Sequence, residues 1–115
     1  MNQDATLHRI ADAIFEEAKT DAVGLWAIHW EVRNVLPHLG DQAARDATFR
    51  IVDIILSSGA VPGEFSGDVS SHQFKPWHVS VPEAIHRIQT EWTNLGRAPD
   101  IGEIVWFIAA EAARK

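Results

Sequence analysis

Six histidines, sixteen carboxylates and no cysteine bound the chemistry open to this chain. Without a thiol there is no disulfide framework, no thiolate zinc or iron–sulfur site and no cysteine nucleophile. Histidine and carboxylate can still hold a divalent ion, and two places have suggestive spacing. Glu83 and His86 make the i, i+3 pair used by carboxylate-bridged metal bundles, but such sites need the pair twice with further glutamates, and it occurs once. His8, Asp12 and Glu16 share one ridge of a helix, which an acidic solvated face explains without an ion. His72 and His78 flank a short apolar run and stand about 20 Å apart if that run is extended, too far to share an ion. His29, between Leu25 and Leu36 on an apolar stripe, reads as a buried, hydrogen-bonded histidine or as a pH-sensitive one. The serines fall in cap or loop contexts, without the G-x-S-x-G elbow of a nucleophile. Gly59, Gly63 and Gly67 lack the lysine and helix that would make a phosphate loop. No catalytic residue, metal or cofactor is assigned, and the expectation is a protein that is not an enzyme.

The five tryptophans are the second source of chemistry. Trp26 and Trp30 are four apart beside the stripe Leu25, Ile28 and Val32, with Arg33 close to both. One reading is that another helix covers this second apolar patch and Arg33 packs on an indole. The other is a surface for a partner protein or a second copy of the chain, because tryptophan and arginine recur at interface hot spots. On that reading Trp26, Trp30 and Arg33 are anchors, and the acidic ridge Asp12, Glu16 and Glu17 steers a basic partner. Trp77, Trp92 and Trp106 sit in apolar company and read as structural; if they enclosed a pocket, it would suit a small ligand.

These residues must be positioned by a chain of 115 residues, 46% hydrophobic and 23% charged, which is one globular domain's worth of material. Apolar spacings of three and four predict helices over residues 4–20, over 21–36 with Asp21 as cap, and over 41–58 with Asp41 as cap and Gly59 just past the end. Residues 60–79 change character and predict two short strands, the first over 60–61, or as far as Phe65 if Pro62 sits on an edge, and the second over about 73–77, with 66–72 as the loop tip. Ser80, Pro82 and Glu83 announce a fourth helix with the stripe Val81, Ile85, Ile88, Trp92 and Leu95, stopped by Gly96. The last segment is ambiguous. Residues 104–108 favour strand, while Asp100 with Glu103 resembles a capping box and 109–115 favour helix; helix is the expectation. The fold class is therefore mainly α within α+β, a single domain of about five helices and one hairpin, divided 1–59, 60–79 and 80–115. The first residues show no apolar leader and the longest apolar stretch is far short of the ~20 residues that span a bilayer, so the expected location is the cytoplasm.

Three helices followed by a glycine-bearing hairpin resemble a winged-helix domain, with the hairpin as wing. That resemblance implies a DNA-binding regulator using Arg45, Arg50 and Lys75. Charge argues against it. The exposed face of the third helix offers Asp46, Arg50, Asp53 and Ser57, and the wing offers Glu64 and Asp68 against Lys75. The net charge is −6, spread along the whole chain, which does not favour a phosphate backbone. A regulator of this type stands as the alternative reading. Residues 59–107 also resemble a group of small, largely uncharacterised bacterial proteins. The likeness rests on Gly59, Gly63 and Phe65, then Phe74, Lys75, Pro76 and Trp77, then Glu91, Trp92, Leu95 and Gly96, and finally the string from Pro99 to Phe107. It implies an immunity-type or accessory protein that works by binding another protein, and it brings no catalytic motif.

Overall fold

The computed structural model describes residues 3–66 and 73–109. Its elements in chain order are α1 (Gln3–Ala18), β1 (Val23–Gly24), α2 (Leu25–Val35), α3 (Asp41–Ser57), β2 (Ala60–Ser66), β3 (Gln73–Pro76), α4 (Val81–Leu95) and β4 (Trp106–Ala109). The described residues thus form a mixed α+β fold of four helices and one antiparallel sheet in the order β1-β4-β2-β3. The amphipathic pattern is realised as expected in α1, whose buried side is Leu7, Ile10, Ala11, Ile14 and Ala18. Helix α3 is the hub, packing against α1, α2, α4 and β2. Its side chains Ile51, Val52 and Ile55 are buried together with Ile28, Val32, Ile88 and Phe107.

Helix α4 forms as its sequence predicts. The Ser80 hydroxyl accepts from the Glu83 amide while the Glu83 carboxylate accepts from the Ser80 amide, and Gly96 closes the helix in the left-handed conformation. The hairpin also forms, with Gly63 opposite Pro76 and Phe65 opposite Phe74. The expected loop tip over 66–72 lies, after Ser66, outside the described residues, as do Asp68, His72 and the helix-favouring run after Ala109.

Four expectations are corrected. Among the described residues the fifth helix is not present, because residues 106–109 are the strand β4 inserted between β1 and β2. The Asp100 and Glu103 pattern closes a tight turn instead of capping a helix: the Glu103 carboxylate accepts from the Asp100 amide, and Asp100 accepts from the Ile101 amide. Gly102 and Ile104 then both take positive φ, 77° and 71°, which no right-handed helix can contain. Second, α2 starts at Leu25 instead of after Asp21, since Val23 and Gly24 pair with Phe107 and Trp106. Gly24 is required there. A Cβ on it would stand 2.7 Å from the Trp26 ring, so only glycine lets that indole fold back over the strand. Third, Asp41 is the first residue of α3 and the cap position is Gly40, with no side chain capping it. Fourth, Pro62 is not on an edge strand, because β2 is flanked by β4 and β3. Its carbonyl accepts from the Trp77 amide just beyond the end of the hairpin ladder. In an antiparallel strand a residue's nitrogen and carbonyl face the same neighbour, so the missing proton falls where the β3 ladder has already ended.

Candidate functional site

The first two turns of α2 place Trp26 and Trp30 on the side that faces α1. Trp26 is half-buried over Gly24, while Trp30 is 60% exposed, an unusual position for an indole. Between the two helices runs a groove of about 780 Å³. Ile10, Ala13 and Ile14 form its α1 wall, and Ala27 and Val35 join the two tryptophans on the α2 side. The small side chain of Ala13 keeps this wall low. Arg9, Glu17 and Glu31 carry the charge in its lining, one guanidinium against two carboxylates. Among the described residues no element covers the exposed face of Trp30.

The other expected contacts divide. Glu17 lines the groove, whereas Asp12 stands exposed on α1 outside it and Glu16 pairs with Lys19 at 3.1 Å. Arg33 does not line the groove with the tryptophans. Its Nη1 donates to Asp41 at 2.9 Å across the α2–α3 connection, and it lines a different hollow. The physical reason is charge: an exposed carboxylate at the start of α3 offers a stronger partner than the face of an indole.

Arginines proposed for DNA are engaged inside the fold. Arg45 donates to Thr93 Oγ1 at 2.8 Å and to the Gln89 carbonyl, with its guanidinium over Trp92 at 5.2 Å. Arg50 donates to Asp4 at 3.1 Å and to Asp53 at 3.5 Å. Lys75 is exposed on β3. Trp77, Trp92 and Trp106 do not share one pocket. Trp92 packs edge-on against His29 and beside Phe49; Trp77 lies under the Arg87 guanidinium at 3.7 Å; Trp106 meets Phe65 on the sheet. Arg87 is itself held by Glu64 and Glu91. Sequence spacing gave no hint of this stack, because its members come from β2, α4 and the segment after β3.

The titratable groups report how the surface is tied together. The Arg97 guanidinium grips Glu103 through two bonds of 2.7 and 2.8 Å and, with the Asp100 amide, pushes its carboxyl from 4.5 down to about 2. The bond from Arg50 likewise lowers Asp4, and the Ser80 cap lowers Glu83. Burial against Trp92 lowers His29, with the nearby Arg33 charge adding to the effect. His8 meets Asp4 at 3.4 Å and Arg50, not Asp12 and Glu16. No three His, Asp or Glu side chains gather to hold a metal among the described residues.

No family model, no curated protein and no solved structure matches this chain. Among the described residues no helix is long and apolar enough to cross a membrane.

Proposed function

We propose that this chain is a cytoplasmic protein-binding module of immunity or accessory type, and that the α1–α2 groove is where its partner docks. The single observation that carries the reading is Trp30, held 60% exposed at the mouth of an apolar groove. Exposing an indole forgoes roughly 1.5–3 kcal/mol of burial, which a partner's side chains recover on docking. The occupant we infer is a basic protein presenting an apolar side chain. Glu17 and Glu31 outnumber Arg9 at the groove, Asp12 and Glu16 extend the acidic field along α1, and the chain carries −6 overall. A second copy brings the same sign of charge to the same patch and is disfavoured by it.

The test is affinity capture from the native cell extract with three forms of the chain. Wild type and Ile101→Ala, which alters an exposed apolar residue elsewhere, are expected to retain one basic protein that added salt releases. Trp30→Ala is expected to lose it. Equal retention by Trp30→Ala overturns the reading, and so does a wild-type homodimer that the same substitution dissociates.

The winged-helix regulator is the second reading. It draws support from the sequence of helices α1 to α3 followed by the β2–β3 hairpin. Against it stand the partners of the two arginines: Arg45 is turned onto Thr93, the Gln89 carbonyl and Trp92, and Arg50 is paired with Asp4 and Asp53. Salt-sensitive duplex binding at low ionic strength, lost in Lys75→Ala, would favour this reading over the first.

A further inference from the structure

Beside another face of α2 lies a hollow of about 590 Å³, between α2, the start of α3 and the C-terminal end of α4. We propose that it binds a small oxyanion, a carboxylate or phosphate group on a small molecule. Of the ten lysines and arginines in this acidic chain, Arg33, Arg45 and Arg97 line this one hollow. Among the described residues Asp41 is the only carboxylate in its lining, and Glu103, outside the lining, pairs with Arg97, so three guanidinium groups meet two carboxylates on a chain of net −6. Guanidinium groups stay charged at every relevant pH and present donors in the planar fork that fits an oxyanion.

The three arginines are held in place by their own bonds. Arg45 is braced by Thr93 and stacked over Trp92, and Arg97 is clamped by two bonds to Glu103. Each guanidinium has five N–H donors, and the protein takes one from Arg33 through its bond to Asp41. Such bracing fixes orientation before a ligand arrives, which lowers the entropy lost on binding. His29, Gln42 and Thr93 add polar groups and Trp92 an aromatic wall, and the volume falls within the range of small-molecule sites. Asp41 is the weak point of the lining. Its side chain is 98% exposed and makes a single ion pair, an interaction that solvent screens heavily, so an incoming anion competes for Arg33 on good terms.

The test is titration of the full chain with inorganic phosphate and, separately, with citrate, followed by backbone amide NMR against chloride at matched ionic strength. Expected are saturable shifts clustered at His29, Arg33, Thr93 and Gly96, with the tighter of the two anions naming the group. Arg33→Gln should weaken binding at least five-fold and Asp41→Asn should tighten it about three-fold, both keeping the wild-type circular dichroism. Shifts that chloride reproduces overturn the proposal, as does affinity unchanged in Arg33→Gln. Binding of an acidic peptide with none of phosphate or citrate would also overturn it, in favour of a protein ligand.

Discussion

Tryptophan at position 30 and tryptophan at position 92 are the same side chain put to opposite uses. Trp92 is buried among Phe49, His29 and the Arg45 guanidinium, and Trp92→Ala should cost about 3–5 kcal/mol in urea unfolding through the cavity it leaves. Trp30 touches solvent over most of its surface, so Trp30→Ala should move stability by less than about 0.5 kcal/mol while abolishing partner capture. A loss of several kcal/mol in Trp30→Ala would show that the indole is a core residue after all. Arg87 illustrates how one residue can serve three contacts. Its planar group covers Trp77 and reaches both Glu64 and Glu91, a geometry lysine cannot copy. Arg87→Lys should therefore lower stability by about 0.5–1 kcal/mol, measured by the denaturation midpoint.

At the scale of elements, the helices were legible from the chain because each buries one stripe at a spacing of three and four. Helix α4 was most so, since Ser80, Glu83 and Gly96 mark both its ends locally. Strand β4 was not. Its pattern of residues is compatible with either state, and what decides is remote: Val23 and Gly24 on one side and residues 60–63 on the other offer it two ladders of hydrogen bonds. The positive φ at Gly102 and Ile104 makes the turn that delivers it there. A Cβ at Gly102 meets nothing closer than 3.9 Å, so Gly102→Ala tests backbone strain alone and should cost about 1 kcal/mol. The candidate groove was half legible. The spacing of Trp26 and Trp30 revealed its α2 wall, but Ile10 and Ile14 read simply as core. Arg33, expected beside the tryptophans, pairs with a carboxylate eight residues away, which the spacing along α2 did not show. Gly24→Ala should push the Trp26 ring off β1, narrowing the groove and weakening capture without removing either tryptophan.

For the molecule as a whole, the ion pairs set how stability answers to pH. Glu103, Asp4 and Glu83 have carboxyls lowered in the folded chain, so the stability they contribute is full above the ordinary carboxylate range and is lost as pH falls through their folded values, for Glu103 from about 4.5 toward about 2. His29 is lowered as well. Its unfolded form takes up a proton near pH 6.5 before the folded form does, so it destabilises the fold as pH drops below that point. Melting temperature should therefore be flat above about pH 7 and fall on acidification, and Arg97→Gln should make the fall below 4.5 shallower, with Asp4 and Glu83 supplying what remains of it. Charge is divided over the surface: two carboxylates against one arginine line the α1–α2 groove, and three arginines line the hollow between α2, α3 and α4. The most direct measurement of the docking claim is a photo-crosslinking amino acid placed at position 30 in the native cell, with position 101 as control. The account predicts an adduct with a basic protein at 30 and none at 101; an adduct of two copies of this chain, or no adduct at 30, would contradict it.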